Sequence, residues 1–191
     1  MLTRLRQFAK ENFVPIVREK TAELLIEKIK EVNPKNILEI GTAIGYSGIL
    51  MLNNCNANLI TLEKNEEMFN LATLNFKEAG VNNRVEAVFG DCKNYIENTT
   101  NKFDFIFLDG PKSHYLEYLP YLLNMLTNNG IIFADNVLFQ GLVKGEGEIP
   151  KKFKTIVTKL REFLSVLEND ENLLTEIIDL EDGVAIIKKR N

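Results

Sequence analysis

Short apolar runs alternating with stretches of helical periodicity constrain this 191-residue chain more than any other feature. Ile37–Ile40, Leu59–Leu62, Val85–Phe89, Phe103–Leu108 and Ile131–Ala134 each have the length of a buried strand. Nearly continuous apolar strands belong to sheets covered on both faces, the environment parallel strands require. Val17 to Lys30 carries Ala22, Leu25, Ile26 and Ile29 at helical spacing. Further helices are predicted from about Tyr46, over Glu66–Ala79 with Gly80 as the stop, near Asn94, from Tyr115 to Leu126, and from Lys151 to Leu167. Asn128-Asn129-Gly130 reads as a turn into the fifth strand. Glu176–Leu180 and Val184–Lys188, joined through Glu181-Asp182-Gly183, read as a closing hairpin. Repeated βα units ending in a hairpin predict an α/β fold: a Rossmann-like, doubly wound, seven-stranded and mostly parallel sheet with an antiparallel C-terminal hairpin strand.

Length predicts one domain over residues 1–191, large enough to bury roughly 70% of its unfolded surface. No apolar stretch approaches the ~20 residues that span a bilayer, and the first residues lack a signal-peptide core, so a cytoplasmic location off the membrane is expected. Cys55 and Cys92 have no metal-binding spacing and fit neutral thiols in a reducing compartment. The net charge of −4 argues against indiscriminate nucleic-acid binding. The charge is unevenly placed, however: Lys151, Lys152, Lys154, Lys159 and Arg161 form a stripe without an acid, followed by an acidic stretch from Glu162 to Asp182. The stripe is either a solvated helix face or a specific RNA contact.

The strand ends carry the chemistry. After the first strand comes Glu39-Ile-Gly-Thr-Ala-Ile-Gly-Tyr-Ser47, where Gly41, Ala43 and Gly45 let a ligand approach the backbone. Glu63 ends the second strand, placed to accept hydrogen bonds from ribose hydroxyls, and Gly90-Asp91 closes the third. The glycine spacing is not that of a dinucleotide fingerprint, and no Walker lysine is present. An acidic edge instead suits the cationic sulfonium of S-adenosylmethionine. The fourth run ends in Asp109 with Lys112 nearby, and the fifth in Asp135-Asn136. In an open α/β sheet, ligands bind at this edge. Two carboxylates, an amide oxygen and an amine meet the needs of a hard divalent cation and a proton acceptor. Each acid alone also fits a helix cap or a turn. His114, the only histidine, fits a rim or cap position, and Tyr115 and Phe139 are candidates to stack on a planar substrate.

LEIGTAIGYS, the LDGPK around Asp109 and the DNVL from Asp135 resemble the cation-dependent O-methyltransferases, which include catechol and caffeoyl-coenzyme A methyltransferases. The resemblance spans about Val14 to Lys188. Within the family, DNVLFQGLV (Asp135–Val143) and FVPIV (Phe13–Val17) look most like bacterial tRNA 5-hydroxyuridine methyltransferases. Plant-type members usually carry a Trp after the metal pair, and this chain has none. The resemblance implies that Asp109, Asp135 and Asn136 ligate Mg²⁺ (or Mn²⁺) and that Lys112 is the general base. It places Val17, Glu39, Gly41, Gly45, Ser47, Glu63, Asp91, Cys92 and Asp109 on S-adenosylmethionine. It further implies a homodimer, and an N-terminal helical segment over residues 1–32 that contributes to the site. Cys92, often Ala in relatives, and a short N-terminus depart from the pattern.

Such a site would methylate a hydroxyl that has a second oxygen beside it. Mg²⁺ prefers about six oxygens and few protein ligands, which leaves positions for substrate. A catechol offers two adjacent oxygens, and so does 5-hydroxyuracil through its 5-oxygen and 4-carbonyl. The expected substrate is 5-hydroxyuridine at the tRNA wobble position in the anticodon, giving 5-methoxyuridine. The alternatives are a small catechol-type substrate and a non-catalytic cofactor-binding module.

Overall fold

The computed structural model describes residues 1–190. Two helices, α1 (Leu2–Glu11) and α2 (Glu19–Val32), precede the first strand. The alternating part runs β1 (Asn36–Ile40), α3 (Tyr46–Leu52), β2 (Asn58–Glu63), α4 (Glu66–Glu78), β3 (Val85–Phe89), α5 (Cys92–Asn98), β4 (Phe103–Leu108), α6 (Tyr115–Met125) and β5 (Leu126–Asp135). Then come α7 (Lys154–Asn169), β6 (Leu173–Ile178) and β7 (Val184–Lys189). The seven strands order as β3-β2-β1-β4-β5-β7-β6, with β3 through β5 parallel and β7 antiparallel to both β5 and β6. This is the doubly wound sheet expected from the alternating pattern. Among the described residues no helix is long and apolar enough to cross a membrane.

Side chains alternate across each strand, so the sheet divides the apolar residues into two cores. Leu38, Ile40, Ile106, Leu108 and Ile132 pack with Tyr118, Leu122, Leu160 and Phe163 of α6 and α7. Ile37, Phe105, Phe107 and Phe133 pack on the other face with Leu25, Ile29, Ile49 and Phe76 of α2, α3 and α4. Local signals set the helix starts. Asn65 accepts from the Met68 N–H to cap α4, and Asp91 accepts from the Lys93 N–H to cap α5.

Three boundaries differ from expectation. Asn128-Asn129-Gly130 is not a separate turn. β5 begins at Leu126, opposite Phe103, and the register then jumps so that Phe105 faces Ile131. The three polar residues are thus absorbed as an irregularity, with Thr127 Oγ1 3.1 Å from Asp104 Oδ1. β6 lies about three residues earlier than the alternation in Glu176–Leu180 implied, because Leu173 is buried against α7. Val17 precedes α2 rather than opening it, as Arg18 is extended and serves as the N-cap.

Register fixes the functional edge. Ile40 pairs with both Leu62 and Leu108, Leu108 pairs with Ala134, and Leu62 with Val88. The next residue on each strand therefore falls in one row: Phe89, Glu63, Gly41, Asp109, Asp135. The ladder continues past the strands, with Gly41 N–H donating to Leu62 O at 3.1 Å and Asp109 N–H to Ile40 O at 3.0 Å. Tyr115, fully buried at the start of α6, sets its hydroxyl 3.0 Å from Leu108 O and 3.1 Å from Asp135 O, tying the ends of β4 and β5 together. Tyr115→Phe leaves those buried carbonyls short of a donor and is expected to cost about 1–3 kcal/mol. Urea unfolding checks this, and an unchanged midpoint would show that the hydroxyl contributes nothing to the junction.

Candidate active site

The strand order reverses direction between β1 and β4, and ligands bind α/β sheets at such a switch point. A cavity of about 870 Å³ opens there, a volume typical of sites for a cofactor or small ligand. Gly41 shows why the turn needs glycine. Its φ is +101°, and a Cβ would stand 2.5 Å from the Asp109 carbonyl oxygen. Glu63 is held by backbone donors on both oxygens, Ala43 N–H at 2.9 Å and Asn65 N–H at 2.8 Å. Gly41, Glu63, Asp91, Cys92 and Asp109 all line the cavity.

Val17, Glu39, Gly45 and Ser47, expected on the cofactor, stand one layer behind that wall. Val17 is packed in the core with Ile29 and Ile49. Gly45 starts α3 against Phe76. Glu39 is wholly buried, accepting from Ser47 Oγ at 2.5 Å and Thr61 Oγ1 at 2.6 Å, and Thr42 Oγ1 lies 2.6 Å from Thr61 Oγ1. Burial pushes the Glu39 pKa up to about 7; the two hydroxyl donors oppose the shift, while Asp109 and Glu63 add to it.

Asp109, Lys112, Asp135 and Asn136 converge on the same cavity. Lys112 Nζ donates to Asp109 Oδ1 at 2.6 Å. Asp135 is 2% exposed, and its Oδ1 accepts from the Asn136 N–H at 2.7 Å. Burial and the charge of Asp109 push the Asp135 pKa up to about 7. Asn136 takes a left-handed φ of 58°, a conformation Asn tolerates. Among the described residues no three His, Cys, Asp or Glu side chains form a metal cluster. The set here is two carboxylates and one amide, all-oxygen chemistry that fits Mg²⁺ or Mn²⁺. A buried carboxylate short of donors and repelled by its neighbour is stabilised by a cation, so the residues fit the group.

The O-methyltransferase family profile matches residues 1–190. The chain belongs to that family. A Staphylococcus aureus protein assigned provisionally as a caffeoyl-CoA O-methyltransferase is 32% identical and superposes with a TM-score of 0.92, covering 99% of this chain and 92% of its own. The SAH-bound methyltransferase of Podospora anserina is 26% identical with a TM-score of 0.90, over 100% of this chain and 88% of its own. In sequence, the catechol O-methyltransferase of Niastella koreensis is 36% identical over 118 residues, 59% of this chain and 53% of that protein. The caffeoyl-CoA O-methyltransferase of Populus kitakamiensis is 27% identical over 173 residues, 84% and 72% of the two chains.

Further wall residues of this O-methyltransferase come from the expected N-terminal segment and from a turn that carried no functional signal in the sequence. Val14, Pro15, Ile16 and Arg18 bring the strap between α1 and α2 to the cavity, and Asp182 comes from the β6–β7 turn. His114 sits at the rim, its ring stacked on Tyr118 at 5.6 Å and its Nδ1 2.8 Å from Glu117 Oε2. Tyr115, read as a stacking candidate, is core. Phe139 does line the cavity and packs edge-on against Phe153 at 5.2 Å.

Between about pH 4.5 and 7, native Glu39 keeps a proton that the unfolded chain gives up, so stability falls as pH rises through that window. Asp135 acts with the same sign. Glu39→Gln removes one contribution, worth no more than about 3 kcal/mol, and is expected to flatten the fall. Urea midpoints across the window in cation-free buffer check it; parallel curves for the two proteins would contradict the buried, proton-holding Glu39.

Proposed function

We propose that this O-methyltransferase moves the methyl group of S-adenosylmethionine to a substrate hydroxyl that has a second oxygen beside it, with a divalent cation at Asp109, Asp135 and Asn136. One observation carries the reading: the carboxylate pair, Asn136 and Lys112 open into the same cavity as Gly41, Glu63 and Asp91. Glu63, preset by Ala43 and Asn65, accepts from the ribose hydroxyls. Gly41 lets the methionine portion lie against the turn, and the α5 start at Asp91 and Cys92 borders the base. A divalent cation bound at the carboxylate pair supplies Lewis acidity that favours the ionised substrate oxygen.

The chemistry is an in-line displacement. The substrate oxygen forms the new bond to the methyl carbon while the sulfur–carbon bond breaks and the sulfonium becomes a neutral thioether. Lys112, three residues beyond Asp109, pairs with its carboxylate as an ammonium. It can take the hydroxyl proton on Nζ only as the neutral amine, after leaving that pairing and giving a proton to solvent, a change that a divalent cation beside it would favour. Alignment by the cavity walls supplies much of the acceleration.

The substrate we favour is 5-hydroxyuridine at the tRNA wobble position. In support, Lys151, Lys152 and Lys154 surround Phe153, which packs on the cavity residue Phe139, so cationic side chains stand beside the mouth. The rest of the stripe is occupied otherwise. Lys159 pairs with Glu162 at 2.7 Å, and Arg161 donates to the carbonyls of Leu142 and Val143, bracing the loop after Asn136. A small catechol-type substrate is the second reading, favoured by the curated relatives' own activities.

Labelled S-adenosylmethionine, offered with tRNA carrying 5-hydroxyuridine or with a catechol, with and without EDTA, separates these readings. EDTA-sensitive label in the wobble nucleoside is expected; label on catechol alone moves the assignment to small molecules. Lys112→Ala is expected to bind SAH normally and lose at least about 100-fold in turnover. Full activity in that variant would remove Lys112 from the mechanism.

A further inference from the structure

The turn between β6 and β7 holds three parts of the site together. Glu181 Oε2 accepts from both the N–H and the Oγ1 of Thr21 at 2.8 Å, fastening the start of α2. Leu138 N–H donates to Asp182 O at 2.8 Å and Val137 N–H to Gly183 O at 3.0 Å, zipping the turn to the segment just after Asn136. Gly183 has φ +79°, and its missing side chain leaves the space that Leu138 fills. The backbone bonds thus fix where Asp182 stands, independently of its side chain.

The Asp182 carboxylate faces the cavity with only 14% of its side chain exposed. Its Oδ2 lies 2.8 Å from an Arg18 guanidinium nitrogen on the N-terminal strap and 3.5 Å from Asn136 Nδ2, a long contact with a charged acceptor. An ionised carboxylate only accepts hydrogen bonds, so the end of the Asn136 amide that faces it must be the NH₂. The other end, Oδ1, is then the one left for the cavity. Without such a partner the amide has two near-equivalent orientations, one of which presents donors to a cation. Arg18 meanwhile neutralises Asp182, which tempers the charge of a third carboxylate beside Asp109 and Asp135.

We infer that Asp182 is a positioning residue: by accepting from Asn136 Nδ2 it sets the amide so that Oδ1 serves the cation, and through Arg18 it links that setting to the N-terminal strap. The inference rests on the reading of Asp109, Asp135 and Asn136 as a cation site. Groups that orient metal ligands in this way typically change metal affinity by about 10–100-fold when removed.

Mn²⁺ titration of the full chain with SAH bound, followed by the paramagnetic resonance of free Mn²⁺, tests it without turnover. Asp182→Ala is expected to weaken Mn²⁺ binding by about tenfold or more. Asp182→Asn keeps an oxygen acceptor for Asn136 and Arg18, and should stay within about threefold of the parent. SAH affinity and melting temperature should hold for both. Asp135→Asn serves as the reference and should abolish binding. Parent-like affinity in Asp182→Ala, or equal losses in the Ala and Asn variants, would overturn the role of Asp182 while leaving the cation site standing. Unchanged Mn²⁺ binding in Asp135→Asn would overturn the cation site itself, and the inference with it.

Discussion

Two aspartates at the ends of neighbouring parallel strands repel each other, and one of them is almost wholly buried. That unfavourable arrangement is what the surrounding structure is organised to hold. The register of β1, β2, β4 and β5 sets Glu63, Gly41, Asp109 and Asp135 in one row past the sheet. Tyr115 locks the β4 and β5 ends at a fixed separation through their carbonyls. Gly41 lets the first turn come within touching distance of the Asp109 backbone. A buried carboxylate repelled by a neighbouring acid works against stability, and such groups cluster at functional sites.

The same row sets the charge of the cavity's base. Acidic side chains dominate it, and three of the cations that line the cavity are paired with acids: Lys112 with Asp109, Arg18 with Asp182, Lys93 with Glu117. An acidic edge of this kind suits a cationic sulfonium, while Lys152 lies over the ring of Phe153, which packs on the cavity residue Phe139.

Much of this was legible from residue order. Apolar runs of strand length, each ending in an acid or a glycine turn, gave the sheet, its approximate strand limits and the position of Asp109, Lys112, Asp135 and Asn136. Boundaries shifted where tertiary packing outweighed local pattern: Leu173 drew β6 toward α7, and pairing with β4 absorbed Asn128-Asn129-Gly130 into β5. Glu39 carried an unused signal. It lies between Leu38 and Ile40, so alternation turns it to the opposite face from them, where it accepts from Ser47 and Thr61. Val17 packs into the core, and an apolar residue before a helix reads alike in sequence whether it packs inward or lines a wall. Arg18 with Asp182, and Tyr115 with two carbonyls, depend on contacts between distant parts of the chain, which no local pattern encodes.

The central claim, that the aspartate pair is a cation site set into a methyl-transfer cavity, is tested most directly by a crystal structure grown with SAH and Mn²⁺ and measured at the manganese absorption edge. The account predicts one anomalous peak bounded by Asp109, Asp135 and Asn136, with Lys112 Nζ moved off Asp109 and SAH along Gly41 and Glu63. SAH in that place with Lys112 still on Asp109 and no peak at the pair would contradict it.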